Sequence, residues 1–162
     1  LTNPAGAKSQ LIGVPNVELT SKIAQVLKRL GSERVLVVHG HDGLCELTVT
    51  SPTHVAELRE GNIKEYEITP EQLGLKTGKL EEISIDTPEE SARIMERIFS
   101  GDEKGTAREI ALANAAGALV VSGQVENLEE GVDLAAKTVD NGKAAEKLND
   151  LIKFSWENHQ AK

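Results

Sequence analysis

The chain has 162 residues, 39% hydrophobic and 27% charged, and its 18 basic against 26 acidic side chains give a formal net charge of −8. This balance fits one folded domain of ordinary size and excludes a disordered chain; it also opposes nucleic acid as a general partner, which would need clustered Lys and Arg. The single cysteine cannot close an internal disulfide and no apolar run is long enough to span a bilayer, so no membrane partner and a reducing, cytoplasmic setting are expected.

The first ten residues, "LTNPAGAKSQ", read as a loop. They lack an initiator Met, as expected for one part of a longer polypeptide. "QLIGV" (residues 10–14) is a short strand candidate. Pro15 and Asn16 follow, and Asn16 is placed to cap a helix whose apolar positions are Ile23, Val26, Leu27 and Leu30. Gly31 is placed to end that helix. "RVLVVHG" then has the β-branched run of a strand buried on both faces. Strand, helix and buried strand make a βαβ unit, and ligands of open α/β sheets bind beyond the carboxyl ends of the strands. For the second strand that place is His39 to Gly43.

The alternation Cys45, Leu47, Val49 against Glu46, Thr48, Thr50 predicts a strand with the thiol on its apolar face. A shielded, inert cysteine follows from that reading. "THVAELREGNIKEYEIT" predicts a hairpin turning at Glu60-Gly61-Asn62. Helix starts are signalled by "TPEQ" at Thr69, "TPEE" at Thr87, "TARE" at Thr106 and "NLEE" at Asn127. The Thr87 helix should bury Ile94, Met95, Ile98 and Phe99 and stop near Gly101. The Thr106 helix, rich in Ala and Gly, should pack closely on a neighbour. The last helix should turn Leu148, Leu151 and Ile152 inward. The expected class is α/β, a mostly parallel sheet with flanking helices in one unit.

"VVHGHDGLCELTVT" (residues 37–50) holds the chemistry-bearing residues, and three readings compete for it. A thiol nucleophile at Cys45 needs an adjacent base, which the strand alternation does not supply. A soft-metal site from His39, His41, Cys45 and Glu46 has suitable ligand types but no familiar zinc spacing. A hard-metal site from Asp42 and Glu46 places oxygen ligands at a strand's carboxyl end, where magnesium could bridge substrate phosphates. The bland alternative is a solvated Asp-Gly turn followed by a surface Glu.

"LTNPAGAKSQLIGV", "VLKRLGSERVLVVHGHDGLCELT", "TPEQLGL", "ALANAAGALVVSG" and "LEEGVDLAAKTVDNGKAAEKL", in this order and spacing, resemble the C-terminal half of anthranilate phosphoribosyltransferase. That family shares its fold with the pyrimidine nucleoside phosphorylases. The resemblance implies that residues 1–162 form the C-terminal part of the catalytic α/β domain of a two-domain enzyme. It implies transfer of a phosphoribosyl group from phosphoribosyl pyrophosphate to anthranilate in tryptophan biosynthesis, with magnesium on the diphosphate and a homodimeric complete enzyme. The family's Asp-Glu metal pair falls on Cys45 and Glu46, with Asp42 nearby, so the metal residues implied here are Glu46, Cys45 and Asp42. Cys45 in place of Asp is a departure, because a thiol is a poor ligand for magnesium. The family's Gly-rich phosphate loop, its Lys-His-Gly-Asn segment, its anthranilate-contacting Arg and its N-terminal helical domain fall upstream of Leu1. The chain alone is therefore expected to be inactive and to hold no catalytic residue. Two alternatives are a pyrimidine nucleoside phosphorylase-like enzyme and a non-catalytic nucleic-acid-binding relative.

Overall fold

The computed structural model describes residues 4–159. β1 (Ser9–Gly13), α1 (Glu18–Arg29) and β2 (Arg34–Gly40) form the expected crossover, with β1 and β2 parallel. β3 (Thr53–Arg59) and β4 (Asn62–Ile68) continue the sheet in the order β1-β2-β3-β4. Both of their pairings are antiparallel. The α/β class holds, but the sheet is mixed rather than mostly parallel. β2 returns as β3 through the loop of residues 41–52 and β3 as β4 through a tight hairpin, and direct returns of this kind run antiparallel.

That hairpin turns at Glu60 and Gly61, both with positive φ (50° and 74°), as a two-residue type I′ turn requires. After two 3₁₀ turns (Glu71–Leu73 and Leu80–Glu82) come α2 (Pro88–Ser100), α3 (Thr106–Val121), α4 (Leu128–Asp140) and α5 (Lys143–His159). Among the described residues, no helix is long and apolar enough to cross a membrane.

The period of β2 divides the core in two. Val35 and Val37, with Ala56 and Leu58 of β3, pack under α1 against Ala24 and Leu27. Leu36 and Val38, with Val55, pack under α3 and α4 against Ala113, Ala116, Val120 and Val132. Burial of β2 on both faces is as the sequence predicts. The small residues of α3 and α4 also act as expected: a Cβ on Gly131 would meet Ala116 within 2.8 Å, and one on Gly117 would meet Leu47 at 2.9 Å. The two outer edges of the sheet differ. β4 carries exposed Lys64, Glu65 and Glu67, whereas the core of β1 is Gln10, Leu11 and Ile12.

Several local expectations change. Residues 45–50 are not a strand but belong to the loop between β2 and β3. Leu47 and Val49 are fully buried as predicted, yet Thr48 between them is buried too. Burial does not alternate here because the loop's polar side chains bond one another instead of facing water. Asn16 does not cap α1: the N-cap position is Val17, without a side-chain cap bond, and the Asn16 carbonyl accepts the Leu19 N–H. The buried face of α1 is Thr20, Ala24 and Leu27, while Val26 and Leu30 are exposed, because small Thr20 and Ala24 let the helix lie close to the sheet. Thr87 and Asn127 cap α2 and α4 through Glu90 and Glu130 N–H groups, and Thr69 and Gln72 bond reciprocally. Thr106 is instead the first residue of α3, and its hydroxyl donates to the Glu82 carboxylate.

Of the α2 residues expected inside, Ile98 is buried, Ile94 and Phe99 are half-buried, and Met95 is exposed. In α5, Leu148 is half-buried while Leu151 and Ile152 are exposed. An amphipathic stripe reports that a face is apolar, not what lies against it.

Two glycines let the 41–52 loop sit on the sheet end. A Cβ on Gly13 would overlap the Cys45 carbonyl, and one on Gly40 would come within 2.5 Å of Asp42 Oδ1. Gly13→Ala is therefore expected to cost about 3 kcal/mol or more, because the clash is with backbone and cannot be relieved by a rotamer change. Urea unfolding should show a lower midpoint with an unchanged slope; an unchanged midpoint would contradict this packing.

Candidate functional site

The site candidate is the loop of residues 41–52 at the carboxyl end of β2, against the end of parallel neighbour β1. Asp42 organises it. Its Oδ1 accepts the Leu44 N–H at 3.1 Å, closing an Asx turn. Its Oδ2 accepts the Thr48 hydroxyl at 2.5 Å and the Thr50 hydroxyl as well. The Asp42 N–H donates to Ser51 Oγ at 3.0 Å. The loop is joined to the sheet by Gly40 N–H to the Leu44 carbonyl (2.8 Å) and His41 N–H to the Pro52 carbonyl (3.0 Å).

Past this turn, Cys45 is exposed and Glu46 half-buried. The shielded thiol expected from the strand reading is thus corrected: without a strand, the side chain is not turned into the core, and the Cys45 carbonyl instead rests on Gly13. Leu47 plunges into the α3 side of the core. Asn114 of α3 meets the segment there: its Oδ1 accepts the Leu47 N–H at 3.1 Å, and its Nδ2 donates to the Leu47 carbonyl at 2.8 Å. Glu46 Oε2 lies 3.2 Å from the same Nδ2. Sequence reading passes over Asn114. The signal available is a lone amide within "ALANAAGALVV", an otherwise apolar helix.

The histidines serve other partners. His39 Nδ1–H donates to the Val14 carbonyl at 2.9 Å, tying the ends of β2 and β1 together. His41 Nε2 is 3.1 Å from Glu67 Oε1 of β4. Among the described residues, no group of three or more His, Cys, Asp or Glu side chains is close enough to hold a metal ion. The soft-metal reading therefore has no assembled ligand set. Asp42, Cys45 and Glu46 share one loop but do not form a closed cage.

Charge separates the two carboxylates. Partial burial pushes the Asp42 carboxyl up, but hydrogen bonds from Thr48, Thr50, Leu44 and Ser51 outweigh it and hold the group below its ordinary value. Burial, then the negative charge of Asp42, raises Glu46 above its ordinary value. Glu46 thus carries a charge that a nearby cation would stabilise. Magnesium keeps much of its water and is commonly held by one or two carboxylates together with substrate phosphates. A half-exposed Glu46 backed by a second carboxylate fits that demand, whereas Cys45 adds no oxygen.

The sheet is of the mixed α/β class and carries a carboxylate-bearing loop at the carboxyl ends of a parallel strand pair, the end at which open α/β sheets bind ligands. Residues 1–145 match the glycosyl transferase family a/b domain, and the chain belongs to that family. It is 46% identical over 155 residues to the anthranilate phosphoribosyltransferase of Nitrosomonas eutropha, covering 96% of this chain and 45% of that protein. The anthranilate phosphoribosyltransferase of Thermus thermophilus superposes with a TM-score of 0.85 at 37% identity, over 94% of this chain and 45% of that one. The Saccharomyces cerevisiae anthranilate phosphoribosyltransferase in complex with phosphoribosyl pyrophosphate and Mg superposes with a TM-score of 0.76 at 27% identity, over 86% of this chain and 40% of that one. The chain therefore spans about half the length of the relatives it matches, all three of which are anthranilate phosphoribosyltransferases.

Two measurements check this loop. Asp42 has a depressed pKa when folded, so its contribution to stability is complete above the ordinary aspartate value of about 3.9 and is lost as pH falls through the folded value. Asp42→Asn should lower stability at neutral pH and flatten the acid limb of the stability curve below about pH 4; an unaltered acid limb would remove Asp42 as the organiser. An exposed Cys45 should react with a thiol reagent in the native state nearly as fast as in denaturant, and slow native labelling would return it to the core.

Proposed function

We propose that this chain is the carboxyl-side portion of an anthranilate phosphoribosyltransferase, in which Glu46 is the chain's oxygen ligand to a magnesium ion on the diphosphate of phosphoribosyl pyrophosphate. The carrying observation is Glu46 itself: a half-exposed carboxylate with a raised pKa, at the carboxyl end of a parallel strand pair, in a chain similar to enzymes of that name. The yeast relative's complex with phosphoribosyl pyrophosphate and Mg supports the ligand class. The wider reading includes a place in tryptophan biosynthesis, a homodimeric complete enzyme and a cytoplasmic setting.

The reaction breaks the bond from the ribose anomeric carbon to pyrophosphate and forms one to the anthranilate amine, which loses a proton. When bound, the metal offsets charge building on the departing pyrophosphate. This chain's part is to hold Glu46 at the sheet end, with Asp42 fixing the loop behind it and adding negative charge. Cys45 stands beside Glu46 as an exposed thiol and contributes no ligand oxygen. The phosphate loop and the acceptor pocket belong to the upstream portion of the proposed enzyme.

On its own, the chain incubated with phosphoribosyl pyrophosphate, anthranilate and magnesium should leave anthranilate fluorescence constant. Joined to the upstream half of a relative, it should consume anthranilate. In that complete protein, Glu46→Ala should weaken the magnesium dependence by about 10-fold or more, at least the usual cost of disturbing a metal's outer partner. Turnover should fall with it, as for an interaction felt mainly in the transition state. Cys45→Asp should tighten magnesium binding with little change in melting temperature, because the new carboxylate would be exposed. A magnesium curve and rate unaffected by Glu46→Ala would reduce Glu46 to a solvated loop residue.

A further inference from the structure

Residues 45–47 have no strand ladder, so whatever fixes Glu46 must come from elsewhere. Its backbone is held on three sides. The Cys45 carbonyl rests on Gly13, and Leu47 packs against Gly117, where a Cβ would approach Leu47 Cδ1 to 2.9 Å. Both backbone polar groups of Leu47 bond to the Asn114 amide, which pairs with them as a strand neighbour would. Asn114 Nδ2 also lies 3.0 Å from the Ile110 carbonyl one turn back.

These bonds alone would make Asn114 a structural clamp, the ordinary role of a half-buried amide. The additional one, from Nδ2 to Glu46 Oε2 at 3.2 Å, reaches the carboxylate itself. Two amide hydrogens thus serve three acceptors, and the one toward Glu46 restricts a side chain that is otherwise free to swing into solvent. Asn is also a weaker helix former than the Ala, Leu and Val around it, so α3 gains nothing locally from this residue.

We propose that Asn114 is a positioning residue for the metal-bearing carboxylate, fixing the backbone of residues 46–47 and holding Glu46 in one rotamer through Oε2. The inference rests on the magnesium reading of Glu46 given above. Removing the amide would leave Glu46 present but mobile, which lowers affinity for the cation without removing a ligand.

The test uses the 162-residue chain, with Mn²⁺ and inorganic pyrophosphate as the probe and NMR as the readout. In the wild type, Mn²⁺ should broaden the Glu46 amide signal, and Glu46→Gln should abolish that effect. Asn114→Ser leaves a hydroxyl able to bond the Ile110 carbonyl but too short to reach the loop. It should weaken Mn²⁺ binding about 10–100-fold, the usual effect of losing an outer partner. It should also speed hydrogen exchange at the Leu47 amide by about 10-fold or more relative to Val37 in the sheet, as loss of a buried bond predicts. Asn114→Ala should behave alike, and whichever of the two remains folded serves as the test.

Unchanged Mn²⁺ affinity in a folded Asn114 variant, with binding still lost in Glu46→Gln, overturns this inference alone. Absence of broadening in the wild type overturns the magnesium reading together with it. Unfolding of both Asn114 variants also overturns it, by making Asn114 part of the core rather than of the site.

Discussion

Residues 41–52 leave the sheet without a ladder, so their backbone and hydroxyl groups must find partners within the loop or on the elements around it, or lose hydrogen bonds on burial. Asp42 gathers four of these bonds: the Leu44 amide, two threonine hydroxyls and, through its own N–H, Ser51. Those accepted by its carboxylate are charge-assisted, and together they offset the burial of a carboxylate whose residue contributes no apolar surface. Glu46 lies just beyond the turn that Asp42 closes. The same carboxylate sets the local field, and its charge helps to raise the Glu46 pKa.

Glycine makes this geometry possible at two strand ends. Gly13 and Gly40 terminate adjacent parallel strands, and at each the loop passes where a side chain would stand. β1 and β2 therefore end as a bare platform on which the loop is seated, and the loop's shape is copied from the sheet below it. α3 completes the enclosure from the other side with Gly117 under Leu47 and Asn114 beside it. Small residues on sheet and helix alike are what bring a charged loop so near the apolar core.

Patterns with strong local physics are legible in the sequence. The buried run of β2, the Glu60-Gly61 hairpin and the caps at Thr87 and Asn127 all follow from short-range rules that the structure obeys. The loop misleads because Leu47 and Val49 alternate with threonines as a strand would, while the structure buries Thr48 as well and satisfies it through Asp42. That contact spans six residues and a turn, and no periodicity reports it. The partners of Asn114 are hidden for a similar reason, since those in the loop lie 67 and 68 positions away in the chain. The same false strand puts Cys45 on the wrong side.

The two outer strands of the sheet carry unlike side chains. β4 presents Lys64, Glu65 and Glu67, charges that repel an incoming strand, and Pro70 follows shortly after its end. β1 offers Gln10, Leu11 and Ile12 in an extended run with no charge to interrupt it. Of these two strands, β4 carries the charges that oppose pairing with a further strand, and β1 does not. A lysine at Gln10 would place on that edge the kind of guard that β4 already carries.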